Sequence, residues 1–203
     1  MLVEGIKSRP VYTTLAARRG RLHLILTDDG GAPAVLGMIG AAPDEFLARA
    51  VLIHAPSPDG RDEGGALRRS LTGAGTGTVL LASDEDQAVA ALRDALADAL
   101  MGTQVYVAGT ENLIARVVET ALAAGLELGA IMAEHRGSHE RRVQCVHCKA
   151  ITEHVTTQPV RCAGCGLALL VRDHYSRRIG AFQGVCIDAE DPGTAPDPKA
   201  LFA

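Results

Sequence analysis

The strongest constraint on the fold is a pair of Cys-x2-Cys motifs in the C-terminal third of this 203-residue chain. Thirteen residues separate the motifs, and each motif places two thiols on one short turn, where both can bind the same ion. Thiolate is a soft ligand, so four of them favour zinc or iron over magnesium or calcium. The predicted metal ligands are Cys145, Cys148, Cys162 and Cys165.

The segments around the motifs have strand character, over residues 142–144, 151–157 and 167–172. Gly164 and Gly166 permit a tight second turn, in which backbone amides point towards sulfur. The order turn, hairpin, turn and strand is typical of a zinc ribbon, and four protein ligands predict a structural zinc site. Because so small a module has little core of its own, we expect the metal to supply the missing stability.

Two other interpretations of the cysteines stay open. Iron in place of zinc would make the chain a rubredoxin-like electron carrier, although rubredoxins usually have Pro and Gly in both turns, a longer spacer and several aromatic residues. Four buried free thiols are the second alternative. The fifth cysteine, Cys186, is unpaired and is expected to be a small buried residue on a late strand.

The cysteine content also bears on location. Five cysteines without a recognisable secretory leader indicate thiols in a reducing compartment, so we expect a cytoplasmic protein. No apolar run approaches the roughly 20 residues that cross a bilayer, and we expect no membrane contact.

The middle of the chain alternates short apolar runs with segments of helical periodicity, which is typical of a parallel sheet in an α/β layer. Residues 78–82 have the length of a buried strand, and Ser83 is the expected N-cap of a helix that ends before Gly102. Thr110 can cap a second helix, which Gly125 ends. The other strands are expected over residues 22–26, 50–54, 104–108 and 126–132, with a loop over residues 55–65.

We therefore expect an α/β domain over residues 1–138, a zinc-ribbon domain over residues 139–188 and an extended, proline-bearing tail over residues 189–203. Charge differs between these parts. Residues 141–178 carry seven basic and two acidic side chains, hence +5, whereas the whole chain carries −4. A basic module is thus attached to an acidic body, which with so few aromatic residues argues against a nucleic-acid binder.

Two further motifs are candidate sites. Gly109 and Thr110 lie at a strand end before a helix, where the helix N-terminus can bind an anionic cofactor, although the same turn also occurs in α/β units without ligands. The run after the last ribbon strand is either a solvated charged strand or a docking face for an acidic partner. Its candidate contact residues are Arg172, His174, Tyr175, Arg177 and Arg178. The sequence offers no residues to which a catalytic role can be assigned.

The two cysteine motifs, together with residues 171–178 (VRDHYSRR), resemble the C-terminal domain of the DmmA family, a subunit of bacterial dimethylamine monooxygenase. The resemblance implies an NADPH- and oxygen-dependent complex of methylated amine degradation, which converts dimethylamine to methylamine and formaldehyde. It implies partner subunits that carry the cofactors, one a haem-binding oxygenase and the other a flavin and iron–sulfur reductase. This chain would then be an accessory subunit that couples or scaffolds them, not catalytic alone.

The N-terminal part more faintly resembles the nicotinamide-binding half of ferredoxin reductases. Their strand–Cys-Gly–helix element falls on residues 107–109, with Ala108 in the place of the cysteine. No flavin-binding barrel is present in the sequence. The resemblance implies a ferredoxin-reductase-like parallel sheet that has lost its cofactor.

Overall fold

The computed structural model describes residues 9–56 and 66–202, and the chain divides into two compact units. Residues 12–137 form one, called here the α/β unit. Residues 138–202, with residues 9–11, form the other, called here the metal unit because it contains both cysteine motifs. Most of the loop predicted over residues 55–65 lies outside the described residues.

The α/β unit is built on a five-stranded parallel sheet of order β3-β2-β1-β4-β5, which confirms the predicted α/β class. Its strands are β1 (Leu22–Thr27), β2 (Ala50–His54), β3 (Thr78–Leu81), β4 (Thr103–Gly109) and β5 (Ile131–His135). Its helices are α1 (Ala32–Gly40), α2 (Asp44–Leu47), α3 (Ala66–Thr72), α4 (Glu85–Ala97) and α5 (Glu111–Ala123).

Apolar residues cover both faces of this sheet. Leu24 and Leu26 of β1 pack with α4 and α5 on one face, whereas Ile25 packs with α1 on the other. This alternation follows from the two-residue period of a strand, and burial on both faces explains why β1 is apolar almost throughout. The chain runs outward from β1 and returns to β4, so the topological switch point lies between these two central strands.

Three elements differ from the sequence expectation. Strand β3 is not buried, since it lies at the sheet edge and leaves Leu80 and Leu81 39% and 44% exposed. Helix α4 is capped by Asp84 in place of Ser83, because the Asp84 side chain accepts from the Gln87 N–H at 2.8 Å. The fifth strand begins at Ile131, after a 3-10 turn at Leu128–Ala130.

The end of α4 also differs. The helix stops at Ala97, five residues before Gly102, so this glycine does not serve as its C′ residue. Gly102 instead has φ +91° in the turn that leads into β4. Helix α5 follows the expectation, with Thr110 as N-cap and Gly125 (φ +89°) just beyond its last turn.

The metal unit contains a mixed five-stranded sheet of order β7-β6-β11-β10-β9, in which β11 and β6 are parallel. A separate two-stranded sheet is formed by β12 and β8. Its strands are β6 (Arg141–Cys145), β7 (Ile151–Val155), β8 (Thr157–Gln158), β9 (Val160–Arg161), β10 (Ala168–Ser176), β11 (Ala181–Cys186) and β12 (Lys199–Ala200).

The core of the metal unit contains an unusual aromatic contact. The guanidinium of Arg141 lies between the rings of Phe182 and Phe202, 4.1 Å from each centroid, and pairs with Asp173 at 3.0 Å. Phe202 belongs to the predicted tail, whose end packs back on this unit through β12.

Candidate functional site

The structure brings the four cysteines of the two motifs together. Their sulfur atoms all lie within 4.8 Å of one another, with Cys145 and Cys165 3.8 Å apart and Cys148 and Cys162 3.5 Å apart. A tetrahedral ion with metal–sulfur bonds of about 2.3 Å requires neighbouring sulfurs about 3.8 Å apart. The cluster therefore has the donor set and spacing of a four-thiolate metal site.

Two equivalent turns, the knuckles, present these sulfurs. In the first knuckle (residues 145–149) the Lys149 N–H donates to the Cys145 carbonyl, and in the second (residues 162–166) the Gly166 N–H donates to the Cys162 carbonyl, both at 3.0 Å. The residue that ends each knuckle has a left-handed backbone, with φ +66° at Lys149 and +74° at Gly166. In the sequence, a residue suited to this backbone is evident only in the second knuckle, where it is glycine.

Close packing fixes the second knuckle. A Cβ at Gly164 would lie 2.6 Å from the Ala150 Cβ and 3.1 Å from the Cys148 sulfur, so only glycine fits there. The Gly164 N–H donates to the Cys162 sulfur at 3.4 Å. Cys145 and Cys162 are buried and Cys148 and Cys165 are exposed, so one side of the cluster faces solvent.

Hydrogen bonds favour the thiolate form of one cysteine of the cluster, Cys162. Burial alone raises the pKa of Cys162, but N–H groups of Cys165 and Gly164 and the neighbouring thiols outweigh it and lower that pKa to about 6. The Leu167 N–H lowers the pKa of Cys165, but partial desolvation and hydrogen bonds with the three other thiols outweigh it and raise that pKa to about 12. Four thiols this close need a cation before all of them can ionise.

Cys186 stands apart from this cluster. It is half-buried at the end of β11 and donates to the Asp188 carboxylate at 3.2 Å, so it differs from the small buried residue that the sequence predicts. The Asp188 carboxylate raises the pKa of this thiol.

Gly109 and Thr110, the candidate cofactor contacts, lie at the switch point between β1 and β4. The Asp28 carboxylate occupies this place, accepting from the Thr110 N–H at 2.8 Å and from the Gly31 N–H at 2.7 Å. A Cβ at Gly109 would collide with that carboxylate. Gly109 is thus required for an internal contact, which sequence reasoning missed because Asp28 is 81 residues away.

The surroundings of Asp28 are acidic. Burial raises its pKa to about 6 against the two N–H groups, and the charges of Asp29 and Glu85 add to the rise. Asp29 is engaged with His54, which is fully buried, at 2.7 Å between the carboxylate and Nε2. This crevice therefore offers carboxylates where a nucleotide would place its phosphates.

The predicted partner-contact residues lie on and after β10. Arg172, His174, Arg177 and Arg178 are exposed, and no ion pair of their side chains occurs within residues 9–56 and 66–202. Tyr175 is different, because its ring is buried against Phe182 with centroids 5.0 Å apart. Its ring therefore belongs to the core of the metal unit.

Two basic side chains of the metal unit are buried in ion pairs, and the others between residues 141 and 178 are exposed. Arg142 is buried and pairs with Glu153 at 2.9 Å, as Arg141 pairs with Asp173, so these charges cancel inside the unit. The remaining basic side chains of residues 141–178 are all exposed, namely Lys149, Arg161, Arg172, Arg177 and Arg178.

The fold and the site define the chain as a parallel α/β unit followed by a four-cysteine metal-binding unit. Both parts of the chain match domains of one known family. The N-terminal domain of the family described as dimethylamine monooxygenase subunit DmmA-like matches residues 4–131, and the C-terminal domain of the same family matches residues 142–185. The chain belongs to this family.

A curated relative is 35% identical over 107 residues, the heme-dependent oxidative N-demethylase delta subunit of Ectopseudomonas mendocina (strain ymp). The match covers 53% of this chain and 61% of that relative.

Solved structures overlap only in part. The siderophore-interacting protein SipS from Aeromonas hydrophila superposes with TM-score 0.41 and 11% identity, over 59% of this chain and 52% of that one. The flavohem-like FAD/NAD binding domain of nitric oxide dioxygenase from Vibrio cholerae O1 biovar El Tor gives TM-score 0.43 and 15% identity, over 63% and 56%. Across the described residues, none of the helices has the length and apolar character needed to traverse a bilayer.

Proposed function

We propose that this chain is an accessory subunit of an NADPH- and oxygen-dependent dimethylamine monooxygenase, in which it couples or scaffolds subunits that carry the redox cofactors. The match of both domains to one family carries the proposal. The partners would be a haem-binding oxygenase and a flavin and iron–sulfur reductase, and the reaction would convert dimethylamine to methylamine and formaldehyde. The similarity to a subunit of a heme-dependent oxidative N-demethylase supports this assignment.

The α/β unit would act in this complex without a nucleotide of its own. The Asp28 carboxylate already binds the Thr110 N–H, and nearby Asp29 and Glu85 would repel a phosphate. Gly109 and Thr110 would therefore hold Asp28 and not a cofactor. This unit would present a surface to a partner, and electron transfer would belong to the other subunits.

The four cysteines would hold a structural zinc ion. Four thiolates fill a tetrahedral site, which leaves no open position for substrate, and the ion neutralises thiolates that the small unit cannot otherwise bury. Elemental analysis and a visible spectrum of the purified chain test this choice of metal. Stoichiometric zinc without colour supports it, whereas stoichiometric iron with visible absorption would make the chain an electron carrier.

The exposed cations Arg172, Arg177 and Arg178, with His174, would form the docking face for an acidic surface of a partner subunit. Exposed guanidinium groups suit this role, since their planar forks bind carboxylates in pairs of hydrogen bonds. Cations at the rim of an interface mainly accelerate association and make it depend on salt.

Co-purification of the tagged chain with the haem and reductase subunits tests the assembly. We expect Arg177→Glu, combined with Arg178→Glu, to weaken capture by about tenfold or more, since close charge reversal costs over 1 kcal/mol. Arg93→Glu is the matched control, because Arg93 is an exposed arginine of α4 in the other unit. Equal loss in the control, or stable capture by the double variant, would reject this docking face. Absence of any capture by the wild type would reject the proposed function.

A further inference from the structure

The α/β unit contains a cavity that lies away from Asp28. It has a volume of about 440 Å³ and opens at the amino ends of β1 and β2, whereas Asp28 and Gly109 lie at the carboxyl edge of the same sheet. The segment before β1 forms one wall, and α2 with the residues on either side of it forms the other. Its volume falls within the range of roughly 300–1,000 Å³ that is usual for small-molecule sites.

The wall of this cavity is strongly basic. Arg18, Arg19 and Arg49 line it, and Glu45 is the single carboxylate among its lining residues. Arg18 is held in place, because its guanidinium donates to the Gly129 carbonyl at 2.8 Å. Arg19 and Arg49 make no ion pair or side-chain hydrogen bond within the described part of the chain. Two guanidinium groups are thus free to bind an anion that enters the cavity.

The floor of the cavity is closely packed and partly aromatic. His23, only 2% exposed, stacks on Phe46 with ring centroids 4.0 Å apart. Its Nδ1 lies 3.4 Å from the hydroxyl of Tyr106, which also accepts from the Arg18 N–H. Gly20 permits this packing, since a Cβ there would lie 2.8 Å from His23 Cε1.

The histidine also reports on the electrostatics of the cavity. Burial lowers the pKa of His23, and the charge of Arg49 lowers it further. At neutral pH the ring is therefore uncharged and still carries one N–H donor. The positive potential of the cavity comes from the three arginines, which exceed the one carboxylate by two charges.

We propose that this cavity binds a small organic anion through a phosphate or carboxylate group that Arg19 and Arg49 hold, with the rest of the molecule over His23 and Phe46. Guanidinium forks match both oxyanions, and a cavity of this size accommodates more than the oxyanion alone. The site does not depend on the proposed role in the monooxygenase. It would give the α/β unit a ligand at the edge opposite to the one where parallel sheets usually bind them.

Proton NMR titration of the histidine Cε1–H signals in the full chain tests the site, with inorganic phosphate and malonate as probes. An anion beside Arg49 offsets its charge, so either probe should raise the pKa of His23. We expect Arg19→Gln and Arg49→Gln each to weaken probe binding by about tenfold. Arg49→Gln should also raise the pKa of His23 without any probe. Arg93→Gln, on α4, should bind the probe like the wild type.

A salt control distinguishes binding of the probe anion in the cavity from general screening of the arginine charges. Sodium chloride at matched ionic strength should leave the pKa of His23 nearly unchanged, and an equal rise in chloride would overturn the proposal. So would the absence of a rise with both probes, or equal binding by all three arginine variants. A response to phosphate alone assigns a phosphorylated ligand, and a response to malonate alone assigns a carboxylate.

Discussion

At the scale of single residues, the Asp28 carboxylate couples the stability of the α/β unit to pH. Its pKa is raised to about 6 in the folded protein, so the folded state binds a proton more tightly than the unfolded chain does. Stability therefore falls as pH rises from about 4 to above 6, by up to about 3 kcal/mol from this group.

The variant Asp28→Asn removes this titration. We expect the unfolding free energy of the wild type, relative to Asp28→Asn, to fall by about 2–3 kcal/mol between about pH 4 and pH 7. Urea unfolding at a series of pH values measures this difference. Since Asn offers only one acceptor oxygen to two N–H groups, a constant offset is also expected. A difference that does not vary with pH would contradict the assignment.

Each cysteine of the cluster should be individually necessary for the metal. Cys162→Ser replaces a buried thiolate by a poor zinc ligand, so we expect loss of stoichiometric zinc and unfolding of the metal unit. The α/β unit has its own core and should keep its helical circular dichroism. The matched control is Cys186→Ser, because this thiol lies outside the cluster and the variant should retain its zinc. Unchanged zinc in Cys162→Ser would remove the ligand assignment.

Residue types and spacing were sufficient to predict which cysteines come together, since both pairs carry their own turn. The left-handed backbone at Lys149 was not predictable, because lysine rarely adopts it and nothing local marks it. The same limit applies to Asp28. Its contact with Thr110 joins two strand ends that are neighbours only in the sheet.

At the scale of elements, β12 and the aromatic contact beside it are expected to stabilise the metal unit. Phe202→Ala removes one of the two rings that enclose the Arg141 guanidinium, and we expect a loss of about 2 kcal/mol in stability. Leu201→Ala is the control, because Leu201 is 59% exposed and should change stability by less than about 0.5 kcal/mol. Chemical unfolding of both variants with zinc bound measures the difference, and equal stability would show that the ring contributes little.

The alternation of strands and helices along the α/β unit could be predicted from apolar runs and capping residues. The exact ends of these elements were predicted less accurately. Ser83 and Asp84 are adjacent capping residues, and only the fold shows that Asp84 meets the Gln87 N–H. The burial of β3 was overestimated, since an apolar run of four residues looks alike at the centre and at the edge of a sheet. Edge position is a property of topology, which local periodicity does not contain.

At the scale of the whole molecule, the charge difference between the two parts of the sequence corresponds to two compact units. The net charge of +5 over residues 141–178 could be predicted by counting. Which of the basic side chains are buried in ion pairs, and which are exposed, could not. Arg141 and Arg142 are buried in ion pairs, and five other cations carry the net charge on the surface. Counting therefore gave the sign of the surface charge of this segment, but it could not show that the ring of Tyr175 is buried in the core.

The equivalence of the two knuckles has a consequence for how this module can vary. Each knuckle closes its hydrogen bonds on itself, from the residue after its second cysteine back to the carbonyl of its first. The backbone at each pair of cysteines is therefore set by a hydrogen bond within its own turn, and the packing of Gly164 against Ala150 and Cys148 joins the two turns. Strands β7, β8 and β9 lie between the knuckles and pair with strands outside that segment, so the connections among them can change in length while both turns keep their cysteines in place.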